Sequence, residues 1–169
     1  EPLHSKVPEL HEASTKVAKR AQVREVQLQL EQSMCVLHHE ALKMALQKAE
    51  ALAMPVTPIL EAAKSLYDKL NQVRAALTEA IGLVKLNPLH DALRGATQIG
   101  LTHYEQPAAA HLAAEIERLL NLSDEGLTTL KPDLMQQVIT EADGIRLQDE
   151  RISKIRAYLQ MPTERFLHE

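Results

Sequence analysis

Residues 48–70, "KAEALAMPVTPILEAAKSLYDKL", run apolar and Ala-rich, halt at Pro55 and Pro58, and resume in the same character. Thr57 stands where its hydroxyl can cap a helix whose first residue is Pro58, a position where proline's missing N–H does no harm. Each proline also drives the residue before it out of helical backbone angles. The stretch therefore reads as helix, corner, helix. Similar punctuation recurs in "LNPLHDAL" (Asn87, Pro88), "EQPAAAHL" (Pro107), "LSDEGL" (Ser123 as a cap), "KPDLMQQ" (Pro132) and "MPTERF" (Pro162). Each marks a corner between short helices.

Upstream the pattern differs. Between Pro8 and Met54 there is neither Gly nor Pro, and Leu10, Ala13, Val17, Val26, Leu30, Met34, Leu37, Ala41 and Ala45 fall mostly three or four apart. That spacing builds one amphipathic helical face. About 45 residues at ~1.5 Å each give ~65–70 Å, longer than an ordinary globular helix. The segment must project as a coiled coil or bend, and the stripe is least regular at Lys19 to Arg24, where a break is expected. The expected division is residues 1–34 as the projecting or coiled-coil part of this helix and 35–169 as a domain of helical hairpins. That domain is expected to continue past residue 169 in a longer protein, since the chain lacks an initial Met and ends inside a helix-like run.

Composition supports helix throughout. The chain of 169 residues is 45% hydrophobic but only 2% aromatic, with 5 Gly, so Leu, Ala, Ile, Val and Met must fill the core. The fold class is all-α: a long first helix followed by stacked antiparallel hairpins, as a short α-solenoid or an irregular bundle. A motif Leu-x-x-(Ala/Glu)-(Leu/Ile) starts at Leu42, Leu77 and Leu112, a 35-residue spacing (77 − 42 and 112 − 77), with a looser copy from Leu134. Stacked helix–turn–helix units have periods of this order.

Several chemistries lack their residues. A net charge of −4 and four aromatic side chains, Tyr67, Tyr104, Tyr158 and Phe166, give neither electrostatic pull nor stacking platforms for nucleic acid. No apolar run approaches the roughly 18 residues of a membrane span, and one cysteine, Cys35, excludes an internal disulfide and fits a reducing, cytoplasmic setting. Cys35 sits among Met34 and Val36 and reads as a small core filler. The sequon at Asn121 carries no weight.

Of the 8 histidines, His38 and His39 beside Glu40 point to different sides of a helix, while His111 with Glu115 and Glu164 with His168 could share a face. A metal bundle needs such pairs to converge from several helices, and no second pair is set to face His111. Gly95 and Gly100 mimic a phosphate loop, but Leu101 stands where lysine is required. The calcium-loop-like run from Asn121 has Pro132 where a bidentate Glu is required. No cofactor, metal or catalytic residue is assigned, and the expectation is a protein without enzymatic activity.

One surface stands out. Lys16, Arg20 and Arg24 repeat every four residues with Lys19 adjacent, a basic stripe that is either a solvated face or a contact for an acidic partner such as a tubulin tail, an acidic helix or peptide, or a lipid headgroup. The region around Arg146, Arg151, Lys154 and Arg156 instead carries Ile152, Ile155 and Leu159 as an ordinary core face.

The Leu-x-x-Ala-(Leu/Ile) hairpins over roughly residues 35–169 resemble the Ala-rich helical-hairpin arrays of large cytoskeletal and ciliary scaffold proteins. The low-aromatic, alanine-rich character is similar to the rod bundles of talin and vinculin. The tetratricopeptide pattern has similar length, but its Trp, Gly and Tyr positions are missing. These resemblances imply a non-catalytic protein–protein interaction segment of a cytoplasmic, cytoskeletal or ciliary protein. The alternatives are a homodimer formed through the first helix, and a helical enzyme or ligand-binding bundle.

Overall fold

A computed structural model describes residues 3–161, with side chains from residue 9 onward. Every regular element among them is an α-helix: α1 (Leu3–Val36), α2 (His39–Ala51), α3 (Pro58–Leu83), α4 (Leu86–Ile99), α5 (Gln106–Thr129), α6 (Pro132–Ile145) and α7 (Glu150–Leu159). The chain is all-α, built of packed helical hairpins. It forms two compact units, residues 1–72 and 73–169, with the boundary inside α3.

Proline punctuation holds at three starts. Pro58 and Pro132 open α3 and α6, and Pro107 lies in the first turn of α5. The Thr57 hydroxyl accepts a hydrogen bond from the Leu60 amide at 3.2 Å, satisfying one of the donors a helix start leaves unpaired. Two expected caps are corrected. Helix α4 begins at Leu86 with Lys85 at its N-cap, so Asn87 and Pro88 lie within its first turn. Ser123 is buried inside α5, its hydroxyl donating to the Leu119 carbonyl at 2.7 Å rather than capping a new helix. Pro162 lies outside the described residues.

The long first segment turns at Leu37–His38, not between Lys19 and Arg24. Leu37 takes the left-handed backbone conformation (φ 50°), and His38 follows in extended conformation, where its Nδ1 accepts from the Ala41 amide at 3.1 Å. Two later corners copy this one. Val84 (φ 50°) precedes extended Lys85, and Leu130 (φ 52°) precedes extended Lys131. The corner residues lie 47 and 46 residues apart (84 − 37 and 130 − 84). The helix ends after them match too: Ala53, Gly100 and Arg146 all have positive φ at the same two intervals (100 − 53 and 146 − 100).

The repeated unit is thus a long helix, a two-residue corner, a short helix and a left-handed exit, with a period of 46–47 residues. Each short helix presents the same core series. Leu42, Leu89 and Met135 are fully buried, followed by Ala45, Ala92 and Val138, then Ala49, Ala96 and Ala142. After the exit come buried Met54, Leu101 and Leu147, whose amides reach back to the carbonyls of Ala49, Ala96 and Ala142 at 3.1, 2.9 and 2.9 Å. Burying a leucine-sized side chain contributes about 1.5–3 kcal/mol, so this series holds each hairpin together. The expected 35-residue spacing does not mark the repeat. Its copies fall on α2, the second half of α3 and the middle of α5, and in the last copy Leu112 is only half-buried while Ala113 and Ile116 take the core positions. Any Leu/Ala helix with a regular buried face produces such matches.

The long helices share a register as well. Seven residues before each corner lie Leu30, Leu77 and Ser123; four before lie the small residues Ser33, Ala80 and Gly126, all buried. A Cβ built on Gly126 would stand 3.4 Å from the Met135 side chain, so the small residue is where the long helix approaches its own short helix.

Candidate partner-binding surface on the first helix

Helix α1 changes character along its length. Val23, Val26, Leu30 and Ser33 form its inward face, and Val26, Leu30, Leu42, Ala45, Ala49, Met54, Leu60 and Ala63 share one core cluster. Lys16 and Lys19 lie seven residues, about two turns, before Val23 and Val26 and so continue the inward face toward the N-terminus. There the face is polar, and every residue from Glu9 to Gln22 is exposed. The apolar residues of this part have moved to the opposite side. Leu10 (68% exposed), Val17 (65%), Leu28 (56%) and exposed Cys35 form a second stripe, spaced about seven turns end to end. Cys35 is therefore not the core filler its neighbours suggested.

The repeat identifies what the polar face replaces. One unit along, Lys16, Lys19 and Arg20 correspond to Ala63, Leu66 and Tyr67 of α3; two units along, to Ala109, Leu112 and Ala113 of α5. In α3, Ala63 is fully buried in the cluster that contains α2, and Tyr67 packs against it. In α5, Ala109 and Ala113 are buried, and the helix packs on α4. The first half of each later long helix thus seats on the short helix of the unit before it, and in α1 the corresponding positions are cationic. Arg24 departs from the group. Eight residues from Lys16, it sits about 80° further round the helix, toward Val17 and Leu28. Among the described residues, no hydrogen bond or ion pair involves Lys16, Lys19, Arg20 or Arg24. Sequence reading found the charges but not their register, because the period was concealed.

The other candidates are structural. His38 is the α2 cap, and His39 Nε2 lies 2.6 Å from Asn71 Oδ1 with its ring stacked on Tyr67 at 5.2 Å between centroids. His111 is exposed, and its neighbour Glu115 is engaged by Arg118, which also reaches Glu141 of α6 at 2.8 Å. The hydrogen bond from Arg118 holds the Glu115 carboxyl below the usual carboxylate range, and the two carboxylates raise Arg118 in turn. Among the described residues, no group of three or more potential ligands is placed to hold a metal ion. The pair Glu164 and His168 lies outside them. Arg74 grips Glu105 with two hydrogen bonds of 2.9 and 2.8 Å and lies 4.2 Å over the Tyr104 ring, pinning the α4–α5 connection to α3.

Open grooves flank α2 in the first unit. One of about 530 Å³ is lined by Leu46, Met54, Val56, Leu60 and Tyr67 with Lys43 and Lys64 at its edges. Another of about 370 Å³ lies between α1 and α2 and includes Val36, Ala41 and Met44. No helix among the described residues is long and apolar enough to cross a membrane.

No protein-family description matches this chain, and no solved structure matches it. Over 130 residues, 77% of this chain, the sequence is 27% identical to the high molecular weight form of myosin-1 of Acanthamoeba castellanii. The match takes in 8% of that protein's length.

Proposed function

We propose that this chain is a non-catalytic interaction segment of a cytoskeletal protein, a repeat of helical hairpins that binds other proteins by helix packing. One observation carries the reading: the first half of α1 has the register of a contact face but is covered by nothing among the described residues. Several of the side chains that could do chemistry are otherwise engaged. His38 caps a helix, His39 packs on Tyr67, and Arg74, Glu105, Glu115 and Arg118 are tied in ion pairs. Similarity to a myosin supports a cytoskeletal setting.

Immobilised chain tests this against cell extract, with bound proteins identified by mass spectrometry and the oligomeric state measured by sedimentation. The reading expects a concentration-independent monomer that retains cytoskeletal proteins. A tight dimer would favour self-association through α1, and retention of no protein would contradict the reading.

A further inference from the structure

Resting on that interaction reading, we propose that the α1 face bearing Lys16, Lys19 and Arg20 seats a short amphipathic helix of a partner protein, one that presents Asp or Glu to these cations. The shape of the occupant follows from the repeat. Where α3 offers Leu60, Ala63 and Tyr67, the chain covers them with a helix of 13 residues, α2, whose Leu42, Ala45 and Ala49 belong to the same cluster, with Leu46 packed against it. In α5, where Ala109 and Ala113 stand, the covering helix is α4, of 14 residues. A face with this spacing therefore accepts a helix of about four turns.

The chemistry follows from the charges. An apolar helix laid over Lys16, Lys19 and Arg20 would strip water from three cations and return no hydrogen bond, a severe cost. Carboxylates on the occupant reverse the sign, since each cation then gains a charge-assisted hydrogen bond. Glu9 and Glu12 are the acidic residues along this face, two carboxylates against the three cations Lys16, Lys19 and Arg20, so it retains a small net positive charge. The opposite stripe, Leu10 and Val17, takes no part. Covering this face also explains a helix that extends fourteen described residues, Glu9 to Gln22, beyond its core contacts: isolated helices of that length are marginal in water.

The probe is a labelled peptide of the α2 sequence, residues 38–53, carrying L46E, A49E and A53E, and a control with Gln at the same positions. Fluorescence anisotropy with the full chain, at about 50 and 500 mM NaCl, should show the Glu peptide binding at least tenfold more tightly than the Gln peptide at low salt, with the difference shrinking at high salt. Lys16→Glu with Arg20→Glu should abolish the preference, while Leu10→Ser with Val17→Ser should leave it unchanged. All four positions are exposed, and circular dichroism checks that the variants stay helical. Equal binding of the two peptides, no binding, or indifference to charge reversal overturns the inference. If the charge-reversed chain still retains cytoskeletal proteins from extract, this inference fails while the interaction reading stands.

Discussion

Gly126 offers a sensitive test of the repeat. It sits inside α5, four residues before the corner at Leu130, in the place held by Ser33 and Ala80 in the other units. An added Cβ would lie 3.4 Å from Met135 Cγ and 4.0 Å from both Leu134 Cγ and the Met135 amide nitrogen. Those are van der Waals contacts, not clashes. Alanine also exceeds glycine in helix propensity by about 0.8–1.0 kcal/mol. Gly126→Ala should therefore stabilise the second unit by about 0.5–1 kcal/mol, raising its Tm by roughly 2–8 °C for a unit of this size. Gly126→Leu adds atoms beyond that contact shell and must push Met135 aside, at a cost of about 1–3 kcal/mol. Urea and thermal unfolding followed by circular dichroism, fitted with separate transitions for the two units, gives both values. A loss of more than about 1 kcal/mol in Gly126→Ala, or equal tolerance of Ala and Leu, would refute the shared register.

Three further expectations can be checked on the same instruments. Arg146 occupies the left-handed position that Gly100 fills one unit earlier, so Arg146→Gly should stabilise by up to about 1 kcal/mol and Gly100→Ala should destabilise by about as much. Leu89→Ala should cost about 2–5 kcal/mol, since Leu89 is fully buried, whereas Leu28→Ala on the exposed stripe should change stability by less than about 0.5 kcal/mol. The Glu115 carboxyl is depressed by Arg118, so its contribution is present above the unfolded-state value and is lost as pH falls through the lower folded value. Acid titration of Glu115→Gln should accordingly lack that part of the decline, and salt should shrink the difference.

The helical class was legible because Ala, Leu, Glu and Lys dominate and because Pro58, Pro107 and Pro132 mark helix starts by chemistry that acts locally. The corners were not. Leu37, Val84 and Leu130 adopt positive φ although they are neither glycine, which lacks the Cβ that crowds that conformation, nor asparagine, whose short polar side chain tolerates it. Packing of their hairpins overrides a local preference that a sequence scan reads literally. Asn87 and Ser123 misled for the converse reason. Both are good capping residues, yet Asn87 falls inside the first turn of α4 and Ser123 bonds the preceding turn of α5. Lys16, Lys19 and Arg20 stood out as a stripe, but only the period of 46–47 residues, carried by backbone angles, reveals that they replace Ala63, Leu66 and Tyr67.

Amide hydrogen exchange along α1 tests most directly whether its first half is an unoccupied contact face. The free chain should show a step at Val23, with amides of residues 9–22 exchanging at least tenfold faster than those of 26–36, a difference of about 1.4 kcal/mol in opening free energy or more. Saturating acidic peptide should slow exchange within 12–23 and leave α6 and α7 unchanged. Uniform protection from 9 to 36 in the free chain, or peptide-induced protection confined to other helices, would contradict the account.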